Sequence, residues 1–187
     1  MRRILILSAA ALALALAACE PPAPGKTGEG GGAAAPARAF ASSQQDDLSG
    51  YYIPADQGAG TGWTFHHVFI GQASDFEAWE AGRRSATFAP IMIEFEDASS
   101  PMVQTEMGES RSGRARILPT SYSVSDDRVR FEGRSEALGV VRFEGRLDPE
   151  ALAEARRNLG DETPVLSGTL NVAGRSQAVR LRWWAGD

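Results

Sequence analysis

The sequence predicts a mostly β protein, a single antiparallel barrel or sandwich of about eight strands with two short helices. The first reason is alternation with period two. Ile91, Ile93 and Phe95 alternate with Met92, Glu94 and Glu96, Val129 and Phe131 with Arg128, Arg130 and Glu132, and Val141, Phe143 and Leu147 with Arg142, Glu144 and Arg146. Such segments carry one apolar and one wet face, the signature of antiparallel sheet covered on one side. The second reason is the shortness of the links, such as Ser125-Asp126-Asp127 and Ala173-Gly174-Arg175. The third is a recurring glycine: Phe131-Glu132-Gly133-Arg134 returns as Phe143-Glu144-Gly145-Arg146, and Leu166-Ser167-Gly168-Thr169 has related spacing. Glycines inside strands mark tight curvature or bulges, or leave room for a ligand, and curvature is the reading that suits a rolled sheet.

In chain order, strands are expected at 48–53, 63–70, from Ile91, at 115–124, and around Val129, Val141, Leu166 and Val179. Ser74-Asp75-Phe76-Glu77 has capping-box spacing and starts a first helix, with Phe76 and Trp79 on one side and Gly82 as its stop. Asp148 caps a second helix with Pro149 at its first position, Gly160 at its end, and Leu147 and Leu152 at hydrophobic-staple spacing. Both helices are expected to plug or brace the sheet.

The chain opens with Arg2 and Arg3, an apolar run over 4–16, and then Leu16-Ala17-Ala18-Cys19. The run is too short to span a bilayer as a helix. The segment resembles the lipobox signal of bacterial lipoproteins. That resemblance implies a signal peptide at 1–18, lipidation of Cys19 and a mature chain beginning there. Several acyl chains on one residue anchor firmly, since each buried methylene contributes about 0.8 kcal/mol. Position 20 is Glu rather than the Asp of inner-membrane retention, so the same resemblance implies the outer membrane, at its periplasmic face. Residues 19–45, with Pro21-Pro22-Ala23-Pro24, Gly30-Gly31-Gly32 and Phe40 as the sole large apolar side chain, read as a disordered tether. Gly25-Lys26-Thr27 within it lacks the glycine, strand and helix of a phosphate-binding loop. The globular domain is expected at 46–187.

The chain has 19 basic and 24 acidic residues. Without Arg2 and Arg3 the balance is 17 against 24, a net charge of −7, which disfavours nucleic acid as a partner. Cys19 is the only cysteine, so no intrachain disulfide forms.

Catalytic and metal chemistry find little support in the pattern. His66 and His67 are the only histidines. As strand neighbours they are expected on opposite faces, one inward and one wet, which gives no metal site and no cofactor. Ser110 lacks the second glycine of a nucleophile elbow. Glu94, Glu96 and Asp97 read as a solvated strand end, and Arg111, Arg114 and Arg116 as a basic loop paired with Glu106 and Glu109. Trp183 and Trp184 put one indole on each face of the last strand, one buried and one exposed, and an exposed indole marks a contact surface or an edge covered by a loop.

The closing segment is similar to that of the YceI-like periplasmic polyisoprenoid-binding family, Gly-x-Leu-x-Ile-x-Gly-x-Thr-x-x-Val-x-Leu. Gly168, Leu170, Val172, Gly174, Ser176, Val179 and Leu181 occupy its positions, and Phe143-Glu144-Gly145-Arg146-Leu147-Asp148-Pro149 resembles the family's entry into a short helix. Ala173 stands where the family has His. The resemblance implies a lipocalin-like barrel around an apolar tail.

Three readings follow. In the first, the domain is a non-enzymatic binder of a lipid or other apolar molecule, with Phe65, Val68, Phe143 and Trp183 lining the site. In the second, it is an assembly lipoprotein that meets an envelope protein through Trp184, Arg111 and Arg114 around a 99–113 loop. In the third, it is a hydrolase using Glu94 or Glu96 with His66 or His67, which requires those groups in one cleft.

Overall fold

The computed structural model describes residues 39–56, 61–105 and 108–186. Cys19, the signal peptide and residues 19–38 of the expected tether lie outside them. Strands are β1 (Phe40–Ser42), β2 (Gly50–Pro54) and β3 (Trp63–Ile70), followed by helix α1 (Ala73–Glu80). Then come β4 (Ile91–Asp97), β5 (Met102–Thr105), β6 (Gly108–Arg111), β7 (Arg114–Ile117), β8 (Pro119–Ser125), β9 (Arg128–Ser135) and β10 (Gly139–Leu147). Helix α2 (Pro149–Arg157), β11 (Pro164–Val172) and β12 (Arg175–Trp184) complete the order.

The fold is mostly β with two helices, as expected, but the count and closure differ. Ten strands form one strongly curled, open sheet, a half-barrel ordered β1-β8-β9-β10-β11-β12-β2-β3-β4-β7, and β5–β6 pair separately. Every pairing is antiparallel except β1 with β8. Three local causes account for the extra strands. The expected 115–124 strand is two: Leu118 breaks it ahead of Pro119, and the chain steps from one edge of the sheet, β7, to β8 near the other. The expected 99–113 loop is largely the β5–β6 hairpin. Strand β1 also lies ahead of Asp46, where Phe40 packs on Trp79 and Tyr122 at ring separations of 6.1 and 5.2 Å.

The inner face carries Val68 and Ile70, Ile91, Ile93 and Phe95, Phe131, Val141 and Phe143, Leu166, Leu170 and Leu181, all buried. The strand glycines belong to this packing. A Cβ on Gly133 would sit 2.6 Å from Ile117 Cγ2 and 2.6 Å from the Leu118 carbonyl oxygen. At Gly168 it would meet the Glu144 carbonyl across the β10–β11 pair. Protein fills the space these glycines leave, so they serve curvature and close approach.

Both helices close the same end of the half-barrel. In α1, Phe76 and Trp79 are buried, and Phe76 stands edge-on to Tyr122. Its start is two residues earlier than the Ser74 spacing suggested: Gln72 is the cap and donates its backbone N–H to Asp75 Oδ2 at 2.9 Å. In α2, Asp148 accepts from the Ala151 N–H at 3.0 Å, Pro149 takes the first position, and Leu147 and Leu152 are both buried. The opposite end, where the two-residue turn Ala173-Gly174 joins β11 to β12, stays open. Both turn residues have positive φ, 49° and 85°, the conformation such hairpin turns require.

Candidate functional site

Two features stand at or near the open end: a polar cluster on the outer face of β3, β4 and β7, and a groove at the mouth.

The polar cluster depends on an irregularity of β3. Phe65 pairs with Phe95 and His67 with Glu94, so His66 is an extra residue, a β-bulge. The bulge resets the alternation, and both imidazoles reach the outer face. Their Nδ1 atoms are 2.7 Å apart, one ring donating its N–H to the bare nitrogen of the other. The expectation of opposite faces therefore fails, and with it the reason for excluding a shared site. Sequence held a signal for the bulge: Val68 and Ile70 are in phase with each other but one residue out of phase with Phe65.

Register brings the charges to the same place. Glu94 faces Arg116, and Glu96 faces Arg114, across the β4–β7 pair. Glu94 is only 3 % exposed and lies with Oε2 3.2 Å from both Nε and Nη2 of Arg116 and Oε1 3.4 Å from Arg114 Nη1. Arg114 Nη2 also holds Glu96 Oε1 at 2.9 Å. Arg114 and Arg116 are thus strand residues paired with β4 carboxylates rather than parts of a solvated loop. Glu96 Oε1 is in turn 3.6 Å from His66 Nε2. Burial drives the His67 pKa down to about 4, with His66, Arg116 and Arg114 acting in the same direction and Glu94 opposing them. His67 is therefore a neutral imidazole at neutral pH. Its ring packs edge-on to Tyr51 at 5.0 Å, and Tyr51 continues to Phe69 and Trp184 at 5.2 and 5.5 Å. His66, His67, Glu94 and Glu96 thus share one face, but of the four only His66 and Glu96 border the groove.

The groove opens because β2 ends at Pro54 while its neighbours β12 and β3 continue and part. It measures about 1530 Å³. Trp63, Phe65, Phe95, Leu138, Val172 and Val179 line it at the open end, and its lining continues along β12 to Arg182, Trp183 and Trp184 toward the helix end. Trp183 is fixed by its indole N–H, which donates to the Ser49 carbonyl at 3.0 Å, and by the Arg156 guanidinium 4.9 Å above its ring. His66 and Glu96 border the same opening.

Of the four residues expected to line a ligand site, Phe65 and Trp183 border the groove. Val68 and Phe143 do not: they are buried in the packed interior, at 0 % and 2 % exposure. Trp184 is exposed on the outer face, as the alternation at the strand end predicts. Arg111 is separate from the other arginines, on β6, donating to the Ser100 carbonyl at 2.8 Å. The chain matches no protein-family model, no curated protein and no solved structure.

Proposed function

We propose that the protein is a non-enzymatic, membrane-anchored lipoprotein of the periplasm whose half-barrel binds a lipid or other apolar molecule at its open end. The observation that carries this reading is the groove walled by Trp63, Phe65, Leu138, Val172 and Val179. Ligand sites favour a concave, mainly apolar wall with a few polar groups at the rim, and barrel mouths are frequent places for them. Thr64, His66 and Glu96 supply polar groups beside this wall, and Arg175, Gln177, Arg180 and Arg182 make the rest of the lining strongly polar. Because Val68 and Phe143 fill the interior, the ligand lies in the mouth rather than deep in a hollow barrel. The lipobox at Leu16-Ala17-Ala18-Cys19 supplies the anchor and the compartment, and the outer membrane is its expected address.

A charge placed on the groove wall tests the idea. Val179→Glu is expected to weaken uptake of a fluorescent long-chain lipid at least tenfold, read by titration, with circular dichroism showing that the variant stays folded. Equal uptake by the two proteins would contradict the groove as the site.

A second reading, assembly through contacts with an envelope protein, draws on the exposed apolar side chains Met102 and Val103 of the β5–β6 hairpin and on Trp184. Exposed apolar groups of this kind favour partner surfaces when they cluster. Recovery of one stable protein neighbour after in-cell crosslinking from Met102 would favour it over the ligand reading.

A further inference from the structure

The bulge in β3 places three metal-ligating groups together on a rigid sheet. His66, His67 and Glu94 each offer one ligand atom, and the three atoms lie within 4.8 Å of one another. We propose that these residues bind a divalent transition-metal cation such as Zn²⁺ or Cu²⁺. This site is on the outer face, and the proposal does not rest on the groove binding a lipid.

The donor set selects the class of ion. Two imidazole nitrogens and one carboxylate suit the borderline metals, whereas Mg²⁺ and Ca²⁺ prefer sites made of oxygen. Adjacent strands hold the donors, His67 directly opposite Glu94 in the ladder, so little order is lost on binding. The surroundings supply a supporting carboxylate. If His66 ligates through Nδ1, its other nitrogen faces Glu96 Oε1 at 3.6 Å, the outer-shell arrangement that orients metal-bound histidines. Arg114 fixes that carboxylate from the other side. The His66 side chain is 41 % exposed, which leaves a path for the ion and a side open to water.

Two rearrangements accompany binding. The Nδ1 atoms, now 2.7 Å apart, part to about 3.3 Å for tetrahedral bonds of about 2.0–2.1 Å, a small rotation of the rings. Glu94 must also exchange guanidinium for metal. Arg116 is the group displaced: its side chain is 52 % exposed and already reaches toward the Thr87 carbonyl, so it can turn outward. Arg116 therefore competes with the cation for Glu94, and that competition has a signature. Removing it should tighten binding, whereas a histidine pair acting alone would be indifferent to it.

The test uses untagged, full-length protein stripped with chelator. Zn²⁺ is titrated against a chromophoric competitor, and Cu²⁺ is followed by electron paramagnetic resonance. With only two histidines in the chain, nitrogen couplings from two imidazoles identify the site. The expected result is one equivalent bound at micromolar or tighter affinity, weakened at least thirtyfold by His66→Ala or His67→Ala, about tenfold by Glu94→Gln, and strengthened severalfold by Arg116→Gln. Circular dichroism confirms that each variant folds. Absence of binding below about 100 μM for both ions overturns the proposal. So does binding that survives His67→Ala, or an Arg116→Gln variant that folds yet binds no tighter than the parent.

Discussion

At His67, a neutral ring is built into the outer face, and the cost of charging it is a stability statement. Its folded pKa is about 4, below the ordinary 6.5. The unfolded chain thus takes up a proton first as pH falls. The contribution of the neutral ring is complete above about 6.5 and is lost as pH drops from there toward 4. His66, Glu94, Arg114, Arg116 and the Tyr51 ring all face the group, so the loss is of order 1–3 kcal/mol. Urea unfolding in chelator at pH 7.5 and 4.5 should show this fall in the parent and a smaller one in His67→Gln. Equal slopes would sink the assignment. The position of this residue was only half legible. Strict alternation sent His66 and His67 to opposite faces, because it assumes an unbroken pleat. The three-residue step from Phe65 to Val68 was the mark of the bulge. The opposite facing of Trp183 and Trp184 was legible, since no bulge in β12 intervenes between them and the buried Leu181, but Trp183 is only partly buried.

At the level of elements, composition announced the pieces better than their ends. Asp148 and Pro149 start α2 as expected, because capping is local chemistry in which a carboxylate and a missing N–H act within a few residues. The helix ends at Arg157 with Asn158 as its cap, ahead of the expected Gly160. The first helix slipped by two residues for a related reason. Asp75 acts as the acceptor at the third position for Gln72, so the spacing from Ser74 pointed to the wrong partner. Leu118 was illegible as a break, since the need to leave β7 and enter β8 arises only from how the sheet curls. Gly133 sits at that crossing. Gly133→Ala is expected to lose about 1–3 kcal/mol by urea unfolding, because the added methyl meets Ile117 and the Leu118 backbone. The neighbouring Arg134→Ala on the wet face should stay within about 0.5 kcal/mol. Similar values for the two would remove the close approach as the reason for glycine here.

Across the whole molecule, alternation revealed which residues face inward but not whether inward means filled. Phe65, Val68, Phe143 and Trp183 are the residues expected to line a ligand site, although unbroken alternation puts Phe65 and Val68 on opposite faces. Val68 and Phe143 are sealed in the core, Phe65 stands at the mouth where β2 stops at Pro54, and Trp183 lies toward the helix end, under Arg156 of α2. Strand number was underestimated for a kindred reason: β1, β5, β6 and β7 have three or four residues each, too few for a periodic signal. The cluster of His66, His67, Glu94, Glu96, Arg114 and Arg116 joins three strands, and only the register of β3, β4 and β7 reveals it. The central claim is that the open end holds an apolar molecule. Native mass spectrometry of the full-length protein, released gently from its membrane, tests it most directly. The account predicts a co-purifying apolar mass that organic extraction removes and added lipid restores. A folded protein that carries no such mass and takes up none of the added lipids would contradict it.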